Sequence, residues 1–137
     1  MVNIFDGLTP EDLGIKQVPA EVAEARSKLA DQVRGELRKA GLPACRRAAD
    51  DSSPGVKIEV DFAEDGPAAW LNWQCDPSVH AAFDPSRPDG GPAFQYFVQA
   101  AGHMQTTVLA ILRDAGFTVE QDDLDPLVLL ILSDSSA

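Results

Sequence analysis

Reactive side chains are scarce in this chain of 137 residues, which has two cysteines, two histidines and one tyrosine. Two cysteines are too few for a disulfide scaffold, and a chain of this length builds a core without such staples. Cys45 and Cys75 are therefore expected as reduced thiols. Structural zinc needs four ligands, and Cys45, Cys75, His80 and His103 show neither C-x-x-C nor H-x-x-x-H spacing, so no metal is expected. Long apolar runs are missing too. The longest, Leu127 to Leu132, is six residues, where about 20 are needed to span a bilayer. The opening MVNIFDGLTP lacks a basic region followed by an apolar one, so no secretory signal is expected and the cytoplasm is the expected location. There is no G-x-S-x-G elbow, no P-loop and no G-x-G-x-x-G, and no cofactor is expected.

Basic residues are the next shortage. Lys and Arg number 11 against 22 Asp and Glu, a net charge of −11, and the imbalance is confined to one part of the chain. Residues 1–57 carry nine charges of each sign, whereas residues 58–137 carry thirteen acidic side chains against Arg87 and Arg113 alone. Nucleic acid and anionic membrane surfaces would be repelled by that field, since both need Lys and Arg to neutralise phosphate. A basic protein partner would be steered in.

What is present is ordinary globular material, 45% hydrophobic and 24% charged, which excludes a disordered chain. Residues 1–18 read as an N-terminal arm with one short turn at Thr9-Pro10-Glu11-Asp12. A single domain follows over 19–132, and 133–137 is a frayed tail. From Pro19 to Ala40, Val22, Ala25, Leu29, Val33 and Leu37 recur at three- and four-residue steps, which predicts a helix of about six turns ended by Gly41. Gly35 interrupts it, at a cost of about 1 kcal/mol relative to alanine, and close packing on a neighbouring backbone would account for it.

Leu42 to Ala48 reads as a short extended stretch, and Asp50 to Gly55 as a loop of turn formers. In Val56 to Phe62 the even positions are apolar and the odd ones charged, the period of a strand with one wet face. After the turn Glu64-Asp65-Gly66-Pro67, Ala69 to Cys75 returns with Leu71, Trp73 and Cys75 inward and Asn72 and Gln74 outward, which places Trp70 on the polar face. Residues 76–92 hold four prolines and read as a long loop. Ala93 to Ala115 is the second long helix, with Phe94, Phe97 and Trp73 assigned to the core. Phe117 to Glu120 is a strand, and Leu127 to Leu132 a strand buried on both faces.

Leu37-Arg38-Lys39-Ala40-Gly41-Leu42 resembles Leu112-Arg113-Asp114-Ala115-Gly116-Phe117, each ending a helix at glycine and entering a strand. The fold expected is α+β, a two-layer sandwich in the order α-β-β-β-α-β-β, with two long helices on one face of a mostly antiparallel sheet. That element order is similar to that of type III secretion chaperones and related small acidic binding proteins.

Candidate chemistry is thin. Cys75 and His80 are the one nucleophile and base close in sequence, but Cys75 points inward. Glu59 and Asp61 share a strand face roughly 6.6 Å apart, a spacing that could serve acid–base work or a hard cation, but a solvated face is the reading preferred. Asp122, Asp123 and Asp125 lack the glycine and terminal Glu of a calcium loop. Trp70 stands out, because a large aromatic beside Lys57, Glu59, Asp61, Asn72 and Gln74 makes an apolar island in an acidic field, the pattern of an interface hot spot with a polar rim. The expected function is a non-catalytic protein-binding module, such as a chaperone, adaptor or immunity-type inhibitor, that presents this acidic face to a basic protein, with homodimers as a further possibility. The alternative is a small-molecule binder or small enzyme whose pocket lies between loop 76–92 and the second helix and uses His80 and His103.

Overall fold

The computed structural model describes residues 16–48 and 52–133. The short turn expected in the arm and the end of the tail lie outside them. The elements run α1 (Ala20–Lys39), β1 (Ala44–Arg46), β2 (Gly55–Val60), β3 (Ala69–Gln74), α2 (Pro77–Ala81), α3 (Gly91–Asp114), β4 (Val119–Gln121) and β5 (Val128–Ile131). The five strands form one sheet in the order β1-β2-β3-β5-β4. β1 and β2 are parallel and the other neighbours antiparallel. The expected α+β class, with two long helices on a mostly antiparallel sheet, is what the chain forms. Among the described residues no helix is long and apolar enough to cross a membrane.

Both long helices end in the same way. Gly41 takes φ +93° and Gly116 φ +97°. Leu42 N donates to Leu37 O at 3.0 Å and Gly41 N to Arg38 O at 3.0 Å; Phe117 N and Gly116 N repeat the pair on Leu112 O and Arg113 O. This is the Schellman closure, which satisfies the last carbonyls and needs a residue that tolerates positive φ. The similarity of the two stretches is thus the similarity of two helix exits. Leu42 and Phe117 then drop against the core. Each exit leads into an edge strand, β1 or β4, but one pairs parallel and the other antiparallel, so the halves are not copies.

The core lies between the helices and one face of the sheet. Ala30, Val33 and Leu37 of α1 and Val108 and Leu112 of α3 meet Val56, Ile58, Val60, Ala69, Leu71, Val119, Leu129 and Ile131. Leu37, Ile58, Leu112 and Ile131 are all 0% exposed, and each such side chain stabilises the fold by about 1.5–3 kcal/mol relative to exposure.

Several expectations are corrected. Loop 76–92 is not structureless: Asp76 accepts from Ser78 N at 2.9 Å and caps the short helix α2, which starts at Pro77. That helix packs on α3 through rings, with His80 5.2 Å from both Phe83 and Phe97 and Phe83 5.2 Å from Phe94. Phe94 and Phe97 therefore build this satellite cluster rather than the main core, and Phe94 is 36% exposed. The apolar run at β5 is not buried on both faces. Leu129 and Ile131 are buried, whereas Val128 and Leu130 are only half-buried, because helices cover one side alone. Phe62 lies beyond the end of β2 and is 43% exposed instead of continuing the inward alternation. Gly35 has open space where a side chain would be, so no close packing accounts for it.

Two cations were not expected inside. Arg26 of α1 is 7% exposed and holds the β2–β3 turn by donating from Nη1 to Asp61 O at 2.6 Å and Ala63 O at 2.9 Å, and from Nη2 to Gly66 O at 3.2 Å. Lys57, expected on the wet face, is 1% exposed and donates from Nζ to Ser53 Oγ at 2.9 Å. At the other edge of the sheet, Arg113 donates from Nε at 3.1 Å and Nη2 at 2.8 Å to the carbonyl of Val119 in β4.

Candidate functional site

The face of the sheet turned away from the helices carries Trp70. The register pairs Glu59 with Trp70 and Trp70 with Leu130, and Leu130 with Glu120, so these four side chains lie in one row across β2, β3, β5 and β4. The next row runs through Lys57, Asn72 and Val128. Trp70 thus sits where alternation placed it. Its surroundings are more apolar than the sequence suggested, because the β5 run supplies Val128 and Leu130. An open hollow of about 470 Å³ is lined by Trp70, Phe62, Val128, Glu59, Asp61 and Arg47, among others.

The β2–β3 turn fixes the tryptophan. Its Nε1 donates to Asp61 Oδ2 at 2.8 Å, while Asp61 Oδ1 accepts from Ala63 N at 2.8 Å. Gly66 lies against the same carboxylate so closely that a side chain there would collide with it. Arg26 clamps the backbone of this turn from below. The indole is therefore held by a turn that is itself tied to α1. Neither Arg26 nor Gly66 was selected from the sequence. The available signals were an arginine amid the inward positions of α1 and a glycine inside the turn.

Of the expected rim residues, Glu59, Trp70 and Asn72 come together, Gln74 lies farther along β3, and Asp61 serves the indole. The acidic character is moderated by Arg47, whose Nη2 donates to Asn72 Oδ1 at 2.9 Å and whose Nε lies 3.7 Å from Glu59 Oε2. Glu59 and Asp61 have different partners, Arg47 for the first and Trp70 and Ala63 for the second.

The other candidates separate. His80 and Cys75 line different hollows. His80 borders a hollow with Arg47, Asn72, Gln74 and Phe97, whereas Cys75 borders another with His103, Tyr96 and Met104. The pocket expected beside the second helix is thus divided, and His80 and His103 fall on different parts of it. The Cys75 thiol, 5% exposed, is pushed up in pKa by burial. His80 Nε2 is buried among rings and has no hydrogen-bond partner among the described residues. Among the described residues no group of three His, Cys, Asp or Glu side chains could hold a metal.

Comparison with known proteins finds no matching family model, no matching curated protein and no matching solved structure.

Proposed function

We propose that this chain is a non-catalytic protein-binding module that presents the open sheet face around Trp70 to a basic protein partner. The observation that carries the reading is the row Glu59, Trp70, Leu130 and Glu120, in which a half-buried aromatic and a half-buried aliphatic side chain lie between two exposed carboxylates. A central aromatic anchor with a polar rim is the common anatomy of an interface hot spot. The anchor is also pre-oriented by Asp61, which lowers the entropy lost on binding. The sign of the partner follows from the charge: residues 58–137 carry thirteen acidic groups against two basic ones. A role as chaperone, adaptor or inhibitor is consistent with such a face, and a symmetric homodimer through the same face is the competing occupant.

The test is affinity capture with tagged protein, washed at low and high salt, using wild type, Trp70→Ala and Glu59→Lys. A stoichiometric basic partner, lost at high salt and lost with either folded variant, is the expected result. Unchanged capture by both variants would sink the proposed face. A concentration-dependent dimer abolished by Trp70→Ala would assign the face to self-association instead.

The second reading, a small-molecule binder, is favoured by the unpartnered His80 Nε2 at the edge of the hollow with Arg47, Asn72 and Gln74. It expects a metabolite to raise Tm by mass action and the effect to vanish in His80→Phe.

A further inference from the structure

Lys57 stands on the face of the sheet turned away from α1 and α3, yet it is 1% exposed. The parallel register sets it directly beside Cys45, and its Nζ lies 3.3 Å from Cys45 Sγ. Two side chains of different chemistry, an amine and a thiol, are therefore held in contact by two neighbouring strands. Cys45 is half-buried, within reach of a small solute, whereas Cys75 is enclosed in the core. A peroxide thus meets Cys45 first.

We propose that Cys45 and Lys57 are a redox-modification site, at which hydrogen peroxide drives a covalent sulfenamide link from Sγ to Nζ between β1 and β2. In the first step the Cys45 thiol is oxidised by one peroxide to the sulfenic acid, and the peroxide is reduced to water. In the second, Nζ attacks the sulfur; the S–N bond forms as the S–O bond breaks. The ammonium gives up two protons, one to complete the departing hydroxyl as water and one to solvent. Sulfenic acids condense in this way even with backbone nitrogen, and an amine is the stronger nucleophile. A thiol reductant reverses the link by attacking sulfur and releasing the amine. The link would pin the edge strand β1 to β2 two residues before Arg47, which touches Glu59 and Asn72 on the open face. The inference is independent of what that face binds.

The experiment treats the folded full chain with stoichiometric hydrogen peroxide, alkylates remaining thiols, and reads intact and tryptic masses. Expected are a loss of about 2 Da, a peptide joining Cys45 to Lys57, no tryptic cleavage after Lys57, and full reversal by dithiothreitol. The link is expected to be absent in Cys45→Ser, absent in Lys57→Arg, and absent when the wild type is oxidised in urea. Cys45 recovered as sulfenic or sulfinic acid with Lys57 still cleaved would overturn the proposal, as would a Cys45–Cys75 disulfide. A linked species that retains an oxygen would overturn the direct S–N bond. The wild-type measurement decides the matter even if neither variant folds.

Discussion

The two faces of one sheet behave differently although the same strands build them. On the helix-covered face, Ile58, Leu71, Leu129 and Ile131 are excluded from water, and each is matched by a residue of α1 or α3. On the open face, Trp70, Val128 and Leu130 are half-buried with nothing above them among the described residues. The first face carries the larger share of the buried apolar core, and the second contributes less to it. Apolar area left uncovered among the described residues is what the proposed interface rests on.

Substitutions sharpen this contrast in order of effect. Leu112→Ala removes a fully buried side chain and should cost about 2–5 kcal/mol in urea unfolding; a cost below that of Leu130→Ala would break the comparison. Arg26→Met leaves the carbonyls of Asp61, Ala63 and Gly66 without their donor, an expected loss of about 1–3 kcal/mol. It should also shift the Trp70 fluorescence, because the turn that holds the indole loosens. Gly35→Ala, at an exposed helical position with room for a methyl group, should raise stability by roughly 0.5–1 kcal/mol. Leu130→Ala on the open face should cost less than Leu112→Ala, since Leu130 is half-buried and part of its side chain stays in water in the folded chain.

The smallest effect concerns pH. The backbone N–H of Ser78 bonds the Asp76 carboxylate and holds its pKa below the usual carboxylate range. A folded value lower than the unfolded one means that the cap contributes above the unfolded value and is lost as pH falls through the folded one. Asp76→Asn should therefore flatten the decline of Tm below about pH 4, relative to wild type, without changing Tm much at pH 7.

Much of this architecture was legible because periodicity is a local property. The three- and four-residue spacing of Leu29, Val33 and Leu37 and the alternation from Val56 to Val60 fixed both partners of the core and, with them, the side on which Trp70 lies. What stayed hidden depends on neighbours distant in sequence. The burial of Lys57 needs Cys45 and Ser53 beside it, and a charged residue at an odd strand position reads as wet without them. Arg26 looked like a polar helix position, since the carbonyls that hold it are 35 to 40 residues away. At β5, apolar residues on both faces gave no alternation by which to tell the covered side from the open one. α2 was hidden in a stretch of four prolines, only the first of which belongs to it, and the aromatics of α3 were drawn into the core by spacing that the packing of α2 overrides.

The Arg113 clamp on Val119 bears on how copies of this chain behave when crowded. β4 ends the sheet, and a strand at that position is a template on which another molecule's strand could extend the ladder. By occupying the Val119 carbonyl from two nitrogens, Arg113 removes one of the few acceptors an incoming strand would need and sets a positive charge in its path. A half-buried apolar sheet face is then compatible with an edge that discourages fibrous stacking, so that apolar area on one surface need not become aggregation through another.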